Sequence, residues 1–480
     1  MLDLCVSRKN KINLADYDYQ ADVENRLFMT TFTVQDVEVL EEILYGSIQI
    51  PLVKLKKHLD LSDQELIAVL QKLSRTGLFT LENEAVVVDK EMRKYYDNQI
   101  LKFDDDFKPN MNYLQGLLRK VPIHVLPIWY AIPRSSNNIF DSMIERYFKT
   151  PQIYERYLMD LNLNEPIMAG IISELFNSPN FQLCTKKVKE KYNLTPRVFE
   201  EYMLHLEFNF VCCLSYIREN NAWREVITPF HEWTEYLLFK QKNIPKGINE
   251  SKEVVSFTTR PFNFIQDMTY LLEEIIHQPL TLQASASDQD FLFTEEVLRS
   301  LKMGIQGKED REDLLSWQLY FSRLASRLVR IGLAIRHEDM LCPHHHAPHW
   351  LNMEVEDKAL YLYRHPENRT LKMGFNEKLD VEKNVREVEK GLERIDIAGW
   401  ILVDEFLEGM ICPIGDNESV TLVKEGPHWK YKLPTYSEDE LQFMRYVILQ
   451  RLYEVGMVDV GTYHARDCFR LLPFGRDTLC

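Results

Sequence analysis

The chain has 480 residues, of which 45% are hydrophobic and 27% charged, and its formal net charge is −16. This length exceeds what a single hydrophobic core accommodates, so we expect about three or four domains of ordinary globular composition. The net negative charge repels nucleic-acid phosphate, which excludes a chain coated with DNA-binding surface but allows a local basic face.

Three features of the sequence predict a cytoplasmic protein. No run of about 18 apolar residues is present, so we expect no transmembrane helix and no membrane partner. The N-terminal segment lacks the apolar stretch of a secretory signal. The eight cysteines form no disulfide framework and no C-x-x-C pair, which indicates free thiols in a reducing compartment.

Taken in chain order, the first repeated pattern follows a polar arm. A helix with apolar residues at 3-and-4 spacing begins after Thr33 and ends at Gly46. After a short second helix, Ser62 and Glu65 form a capping box for a third helix that ends at Gly77. Two apolar segments on either side of residues 82–84 then predict a β-hairpin. Three helices followed by a hairpin are typical of a winged-helix domain, in which the hairpin is the wing.

The same pattern recurs along the chain. Its marker is a leucine, three residues and a glycine at a helix end, because a helix usually ends on a left-handed residue. The marker occurs at Leu73–Gly77, Leu328–Gly332 and Leu452–Gly456, and Asn209 takes the place of the glycine in a second copy. The last copy is the clearest, with an amphipathic helix from Glu438, a hairpin with a turn at 462–467, and a further helix.

We therefore predict a mainly α fold (α+β): tandem winged-helix domains with short hairpin wings, joined by helical connectors. The predicted segments are an N-terminal arm (1–32), winged helix 1 (33–101), a helical connector (102–164), winged helix 2 (165–243), a variant winged helix 3 (256–380) and a C-terminal winged helix 4 (381–480). The extra hairpin of the third domain is expected to join Leu280–Gln283 to Phe291–Phe293.

The C-terminal pattern resembles a known family. It is similar to the winged-helix accessory regions of bacterial XPB-type helicases and to the winged-helix partner subunit of XPB in the transcription factor TFIIH. The likeness extends over roughly residues 160–480 and is carried at its end by Leu449, Leu452, Gly456, Met457, Phe469, Leu471, Pro473, Gly475 and Arg476. The resemblance implies a role near transcription or DNA handling.

The chain departs from that family in lacking a motor. ATP hydrolysis needs the phosphate loop G-x-x-x-x-G-K-[ST], whereas Gly304 to Glu309 has the wrong spacing and lacks the hydroxyl residue. We find no catalytic triad and no metal-hydrolase motif. The sequence therefore predicts a non-enzymatic protein without a small-molecule substrate, although a cryptic enzyme with dispersed residues stays open.

Two basic helices are the candidate nucleic-acid surfaces. Arg323, Arg327 and Arg330 share one helical face by their spacing of four and three, and Arg336 lies on the following wing. The plainer alternative is a solvated face paired with acids such as Glu309 or Asp313. A second basic set comprises Lys186, Lys187, Lys189 and Lys191. In contrast, the third helices of the first and last domains begin with acids, which suit a helix N-terminus but repel phosphate.

One loop carries a dense set of metal-ligand residue types. Cys342, His344, His346 and His349 lie in CPHHHAPHW, and thiolate and imidazole are good zinc ligands. Zinc is the one cofactor that the sequence suggests. His345 belongs to the same set of potential ligands. The alternatives are a phosphate-contacting or pH-sensitive loop and a plain exposed loop.

The leading interpretation is a DNA-associated tandem winged-helix protein. In it, a local basic helix contacts the backbone of double-stranded DNA and the acidic domains bind a protein partner. The competing interpretation is a protein–protein interaction scaffold without nucleic-acid contact.

Overall fold

The computed structural model describes residues 11–479 except 60, 134–137, 162, 164, 221, 258–259, 284–290, 306–313 and 372–373. The chain divides into two compact units, which are Met1–Leu238 with Thr421–Lys432, and Phe239–Val420 with Leu433–Cys480. Helices predominate in both units, and the strands form small antiparallel sheets. The prediction of a mainly α protein with short β-hairpins is confirmed at this level.

The N-terminal arm and the first repeated pattern are regular. The arm contains α1 (Tyr19–Met29), and the pattern then comprises α2 (Val34–Tyr45), β1 (Gln49–Pro51), α3 (Leu52–Leu59), α4 (Asp63–Leu73), β2 (Phe79–Glu82) and β3 (Ala85–Val88). The predicted capping box of Ser62 and Glu65 is present. Gly77 ends the helical segment with a φ of +66°, and the hairpin turns through Asn83 and Glu84 with positive φ angles.

A helical connector precedes the second repeat. It comprises α5 (Lys90–Ile100), α6 (Met111–Leu118), α7 (Leu126–Trp129), α8 (Ile139–Met143), which continues into a π-helical turn, and α9 (Pro151–Asp160). The prolines at 122, 127 and 133 keep the apolar stretch between α6 and α8 from forming one helix.

The second repeat has the same order of elements. It comprises α10 (Pro166–Asn177), β4 (Leu183–Cys184), α11 (Thr185–Lys191), α12 (Pro196–Phe208), β5 (Cys212–Glu219), β6 (Ala222–Pro229) and the trailing α13 (His231–Lys242). The prediction that Asn209 is the left-handed residue is wrong, because its φ is −85°. Phe210, the next residue, has the positive φ of 60° instead.

The third repeat lies in the second unit. It is preceded by the strand β7 (Val255–Ser256), which belongs to the sheet of the fourth repeat. The repeat itself comprises α14 (Asn263–His277), β8 (Leu280–Thr281), α15 (Glu295–Gly304), α16 (Leu314–Arg330), β9 (Ala334–His337), β10 (Met340–Pro343), α17 (Ala347–Leu351) and α18 (Val355–Arg364). The two segments of the predicted extra hairpin meet in an antiparallel bridge between Leu282 and Phe293, and the Gln283 amide donates to the Leu292 carbonyl oxygen at 2.6 Å. The pairing of β8 with β10 was not predicted. The connecting residues 284–290 lie outside the described residues.

The fourth repeat carries an inserted hairpin. It comprises α19 (Glu382–Lys390), β11 (Ile401–Leu402), α20 (Val403–Glu408), the inserted β12 (Thr421–Glu425) and β13 (His428–Lys432), α21 (Glu438–Tyr446), β14 (Val458–Tyr463), β15 (Arg466–Leu471) and α22 (Pro473–Leu479). A π-helical stretch, Val447–Leu452, continues α21 towards Gly456, where φ is +72°. The last hairpin is longer than predicted, since its strands pair up to Tyr463 and Arg466.

The sheet topology shows that the four segments are built alike. Each has a helix, a short strand, two further helices and a hairpin, and in each sheet the short strand pairs with the second hairpin strand. The sheet orders are β1-β3-β2, β4-β6-β5, β8-β10-β9 and β11-β15-β14-β7. The apolar faces predicted for the helix before the first and the last hairpin are buried, as Leu70 and Ile448 show.

Among the described residues, none of the helices combines the length and the apolar character that crossing a membrane requires. The six described cysteines are free thiols, as expected.

Candidate functional site

The predicted arginine face on α16 is only partly accessible, because Arg323 and Arg330 are half-buried and Arg327 is buried. Arg327 is buried and donates from Nε to Glu454 Oε2 at 2.7 Å. Glu454 belongs to the helical segment before the last hairpin and is itself buried. Arg327 therefore packs inside the second unit, which corrects the prediction that it contacts phosphate.

The neighbouring arginines are held by the same region. Arg323 forms an ion pair with Glu454 at 3.5 Å and lies over the rings of Phe264 and Tyr320. Burial lowers the pKa of Arg330, which donates to the Leu371 carbonyl oxygen at 3.5 Å. Arg323 and Arg330 thus each have a partner inside the second unit, and Arg323 shares the carboxylate of Glu454 with Arg327.

The fourth predicted arginine lies on the wing that follows α16, and an acid that is distant in sequence pairs with this helix. Arg336 on β9 is half-buried and donates to the carbonyl oxygen of Glu338 at 3.2 Å. Glu309 and Asp313 lie outside the described residues. The acid that pairs with the arginine helix is thus 127 residues from Arg327 in sequence, too distant for helical spacing to indicate.

The lysine helix α11 is accessible on one side. Lys189 pairs with Glu225 at 3.2 Å and Lys191 pairs with Glu174 at 2.6 Å. Lys186 and Lys187 are exposed, and no acidic side chain within the described part of the chain pairs with either. The predicted basic surface is therefore reduced to these two residues.

The helices that directly precede the four hairpins are exposed to very different extents. In α12, Arg197 is the last exposed residue, and α16 has none beyond Leu319. The segment from Glu438 to Glu454 has none beyond Gln442. In contrast, α4 is exposed along its length through Gln64, Ile67, Ala68 and Gln71, which share one helical face by their spacing.

A buried network of charges explains why α12 is covered. Arg26 of α1 donates to Glu200 at 2.7 Å and to both carboxylate oxygens of Glu207, and Lys102 adds an ion pair to Glu207. Burial alone would lower the pKa of Arg26, but Glu207 and Glu200 raise it well above its usual value. Local periodicity did not predict this network, because Arg26 lies in the segment before residue 33, which was predicted to be a polar arm. The available signal was the spacing of seven that puts Glu200 and Glu207 on one face of α12.

A cleft of about 570 Å³ lies beside this network, between α1, α5 and α6. Its floor holds Asp22, whose carboxylate accepts from Lys120 at 2.9 Å, from Tyr95 at 2.7 Å and from Tyr17 at 3.1 Å. Burial lowers the pKa of Lys120 to about 8, against the opposing effect of Asp22. Because Asp22 already accepts from three donors, the cleft floor is a satisfied structural network.

In the histidine loop after β10, the residues that lie close together differ from the predicted zinc ligands. Nitrogen atoms of His344, His345 and His346 lie within 4.8 Å of one another. Cys342 and His349, which were predicted as ligands, do not belong to this group. Cys342 is a half-buried residue on β10 opposite Ile335, and His349 is exposed on the short α17.

A second group of ligand residue types consists of Glu250, Glu253 and His464. All three are exposed, and His464 forms an ordinary ion-pair contact with Glu253 at 3.2 Å. Solvated acids of this kind are common on protein surfaces without a metal, so this group is the weaker candidate.

Comparisons with known proteins returned nothing: no family model, no curated protein and no solved structure matches the chain. The resemblance to the accessory regions of XPB-type helicases therefore stays a prediction.

Proposed function

We propose that this chain is a non-enzymatic tandem winged-helix protein that acts as a protein–protein interaction scaffold. The repeated order of helix, strand, helix, helix and hairpin supports the winged-helix assignment. The observation that most strongly supports a scaffold function is that one face of α4 is exposed along its length. The three other pre-hairpin helices use their corresponding residues for packing within their own units.

The chemistry of the α4 face favours a protein partner. Ile67 is 48% exposed between two exposed glutamines, so the face offers apolar contact area flanked by amide groups. The adjoining hairpin tip carries exposed Glu82 and Glu84. Carboxylates at the tip repel phosphate and attract a basic protein surface, which suits an acidic chain.

The test is a comparison of two matched double variants. Ile67→Glu/Gln71→Glu adds two charges to the α4 face, and Gln152→Glu/Met159→Glu adds two charges to exposed positions of α9. Quantitative affinity capture from the native cell extract should recover a partner with wild type and with the α9 variant, but not with the α4 variant. Equal recovery by all three proteins would contradict the proposal.

Nucleic-acid binding is a second candidate, favoured by one specific observation. The second helices of the first two repeats, α3 and α11, correspond in position, and each carries two exposed lysines without an acidic partner among the described residues. These are Lys54 and Lys57 in α3, and Lys186 and Lys187 in α11.

Titration with random-sequence duplex at two salt concentrations tests this candidate. If these lysines contact the DNA backbone, replacing all four with alanine should weaken binding. The slope of the logarithm of the binding constant against the logarithm of the salt concentration should also become shallower by about 0.9 per lost phosphate contact. If wild type does not bind at low salt, or the variant binds equally, the nucleic-acid candidate fails and the scaffold proposal is unaffected.

A further inference from the structure

The three consecutive histidines lie on a fixed backbone. The His344 amide donates to the Leu333 carbonyl oxygen at 2.9 Å, and the Ala347 amide returns to the His344 carbonyl oxygen at 3.0 Å. The following α17 is anchored by Trp350, which is buried and donates from Nε1 to Thr269 at 3.1 Å. The loop that carries the rings is therefore held at both ends.

The rings are close together and arranged side by side. Ring centroids are 4.0 Å apart for His344 and His345, 3.9 Å for His345 and His346, and 5.1 Å for His344 and His346. Among the described side chains, no hydrogen-bond partner meets the buried Nδ1 of His344. The three imidazoles therefore offer one ligand nitrogen each, and the ring of His344 includes a nitrogen that the described protein atoms leave without a hydrogen bond.

We propose that His344, His345 and His346 together bind one divalent transition-metal ion of the zinc class. Imidazole nitrogen is a preferred ligand of these ions, and three protein ligands leave a further position open to solvent. This proposal goes beyond the scaffold function and does not depend on it.

The required movement is small. Zinc–nitrogen distances of about 2.0–2.1 Å separate two tetrahedral ligands by about 3.3 Å. The three nitrogens already lie within 4.8 Å of one another. Because His345 and His346 are exposed, rotation of these two side chains can close the difference without moving the anchored backbone.

Calorimetric titration of the full chain, without an affinity tag and after treatment with a chelator, tests the site with zinc chloride as the probe. We expect one ion per chain. His345→Ala should weaken binding at least about 10-fold, since even the loss of an outer-shell partner has that effect. His345 is exposed, so this variant should retain the melting temperature of the metal-free wild type.

Three controls separate this site from the other arrangements. His349→Ala and Cys342→Ser test the ligands expected from the sequence, and Glu253→Ala tests the second group. All three should bind zinc as wild type does. A stoichiometry well below one ion per chain, unchanged binding by His345→Ala, or loss of binding in any control would overturn the proposal.

Discussion

Buried charges in this protein are neutralised by partners from distant parts of the sequence. Arg26 meets Glu200 and Glu207 in the first unit, and Arg327 meets Glu454 in the second. A buried charge that loses its partner carries the full cost of desolvation. The arginines that resemble a phosphate-binding row are therefore better understood as parts of internal ion pairs.

Arg327→Ala should lower the free energy of unfolding of the second unit by up to about 3–5 kcal/mol, because the buried Glu454 would lose its 2.7 Å partner and keep only the 3.5 Å ion pair with Arg323. Replacing both residues with apolar ones, Arg327→Met/Glu454→Leu, should restore much of that loss. Urea denaturation followed by tryptophan fluorescence measures both effects. Arg369→Ala is the matched control, because its exposed pair with Glu382 is expected to contribute about 1 kcal/mol or less.

Glu232 gives the first unit a pH-dependent stability. Its Oε1 accepts from the Met111 amide at 2.9 Å, but among the described residues the buried Oε2 has no hydrogen-bond partner. Burial raises the pKa of Glu232 to about 7. The folded state thus holds a proton that the unfolded state loses near pH 4.5, so this residue lowers the free energy of unfolding as pH rises from about 4.5 to 7.

Glu232→Gln should remove this contribution, since glutamine resembles the protonated carboxyl group and does not ionise. Relative to wild type, we expect the variant to be more stable at pH 8 than at pH 4.5 by about 3 kcal/mol, the free energy that corresponds to the pKa shift. Urea denaturation at both pH values provides the measurement. A difference that does not change with pH would show that Glu232 ionises normally.

At the scale of elements, a glycine ends three of the four pre-hairpin segments. Gly77, Gly332 and Gly456 have φ angles of +66°, +70° and +72°. A side chain at such a φ costs about 1–2 kcal/mol. The surroundings of these glycines differ, because an added Cβ meets nothing at Gly77 or Gly332 but would lie 2.4 Å from the Phe262 ring at Gly456.

Gly456→Ala should therefore destabilise the second unit more than Gly332→Ala does. For Gly332→Ala we expect a loss of about 1–2 kcal/mol from the backbone conformation alone. The clash with Phe262 adds to this loss at Gly456. Thermal denaturation of the two variants gives the comparison, and equal losses would mean that the Phe262 ring moves aside freely.

At the scale of the whole molecule, the net charge of −16 repels any nucleic acid that approaches. Only accessible and uncompensated cations overcome such a field. Arg323 is only partly accessible, since it lies over two aromatic rings and is held at 3.5 Å from Glu454, a carboxylate that it shares with Arg327.

Arg323→Ala should consequently bind random-sequence duplex with the same affinity and the same salt dependence as wild type. Fluorescence anisotropy at about 50 and 200 mM salt, the range over which phosphate contacts show most clearly, provides the measurement. A salt slope reduced by about 0.9 in the variant would mean that Arg323 contacts a phosphate after all.

The sequence alone determined the local structure. Capping boxes, 3-and-4 spacing and helix-ending glycines act over a few residues, so the helix around Leu70, the end at Gly456 and the position of the last hairpin, though not its full length, were predicted correctly. It failed where the local signal was ambiguous, as at Asn209, where the next residue takes the left-handed conformation.

Tertiary structure decided which of those surfaces are free. Three contacts join residues that are far apart in sequence. They are the pairing of β8 with β10, the ion pair between Arg327 and Glu454, and the packing of α1 against α12 through Arg26 and Glu200. Spacing shows that residues share a face, but it does not show what packs against that face. For this reason Arg327 is buried in a core, whereas the exposed face of α4 and the side chains of His344, His345 and His346 are the surfaces for which we propose binding.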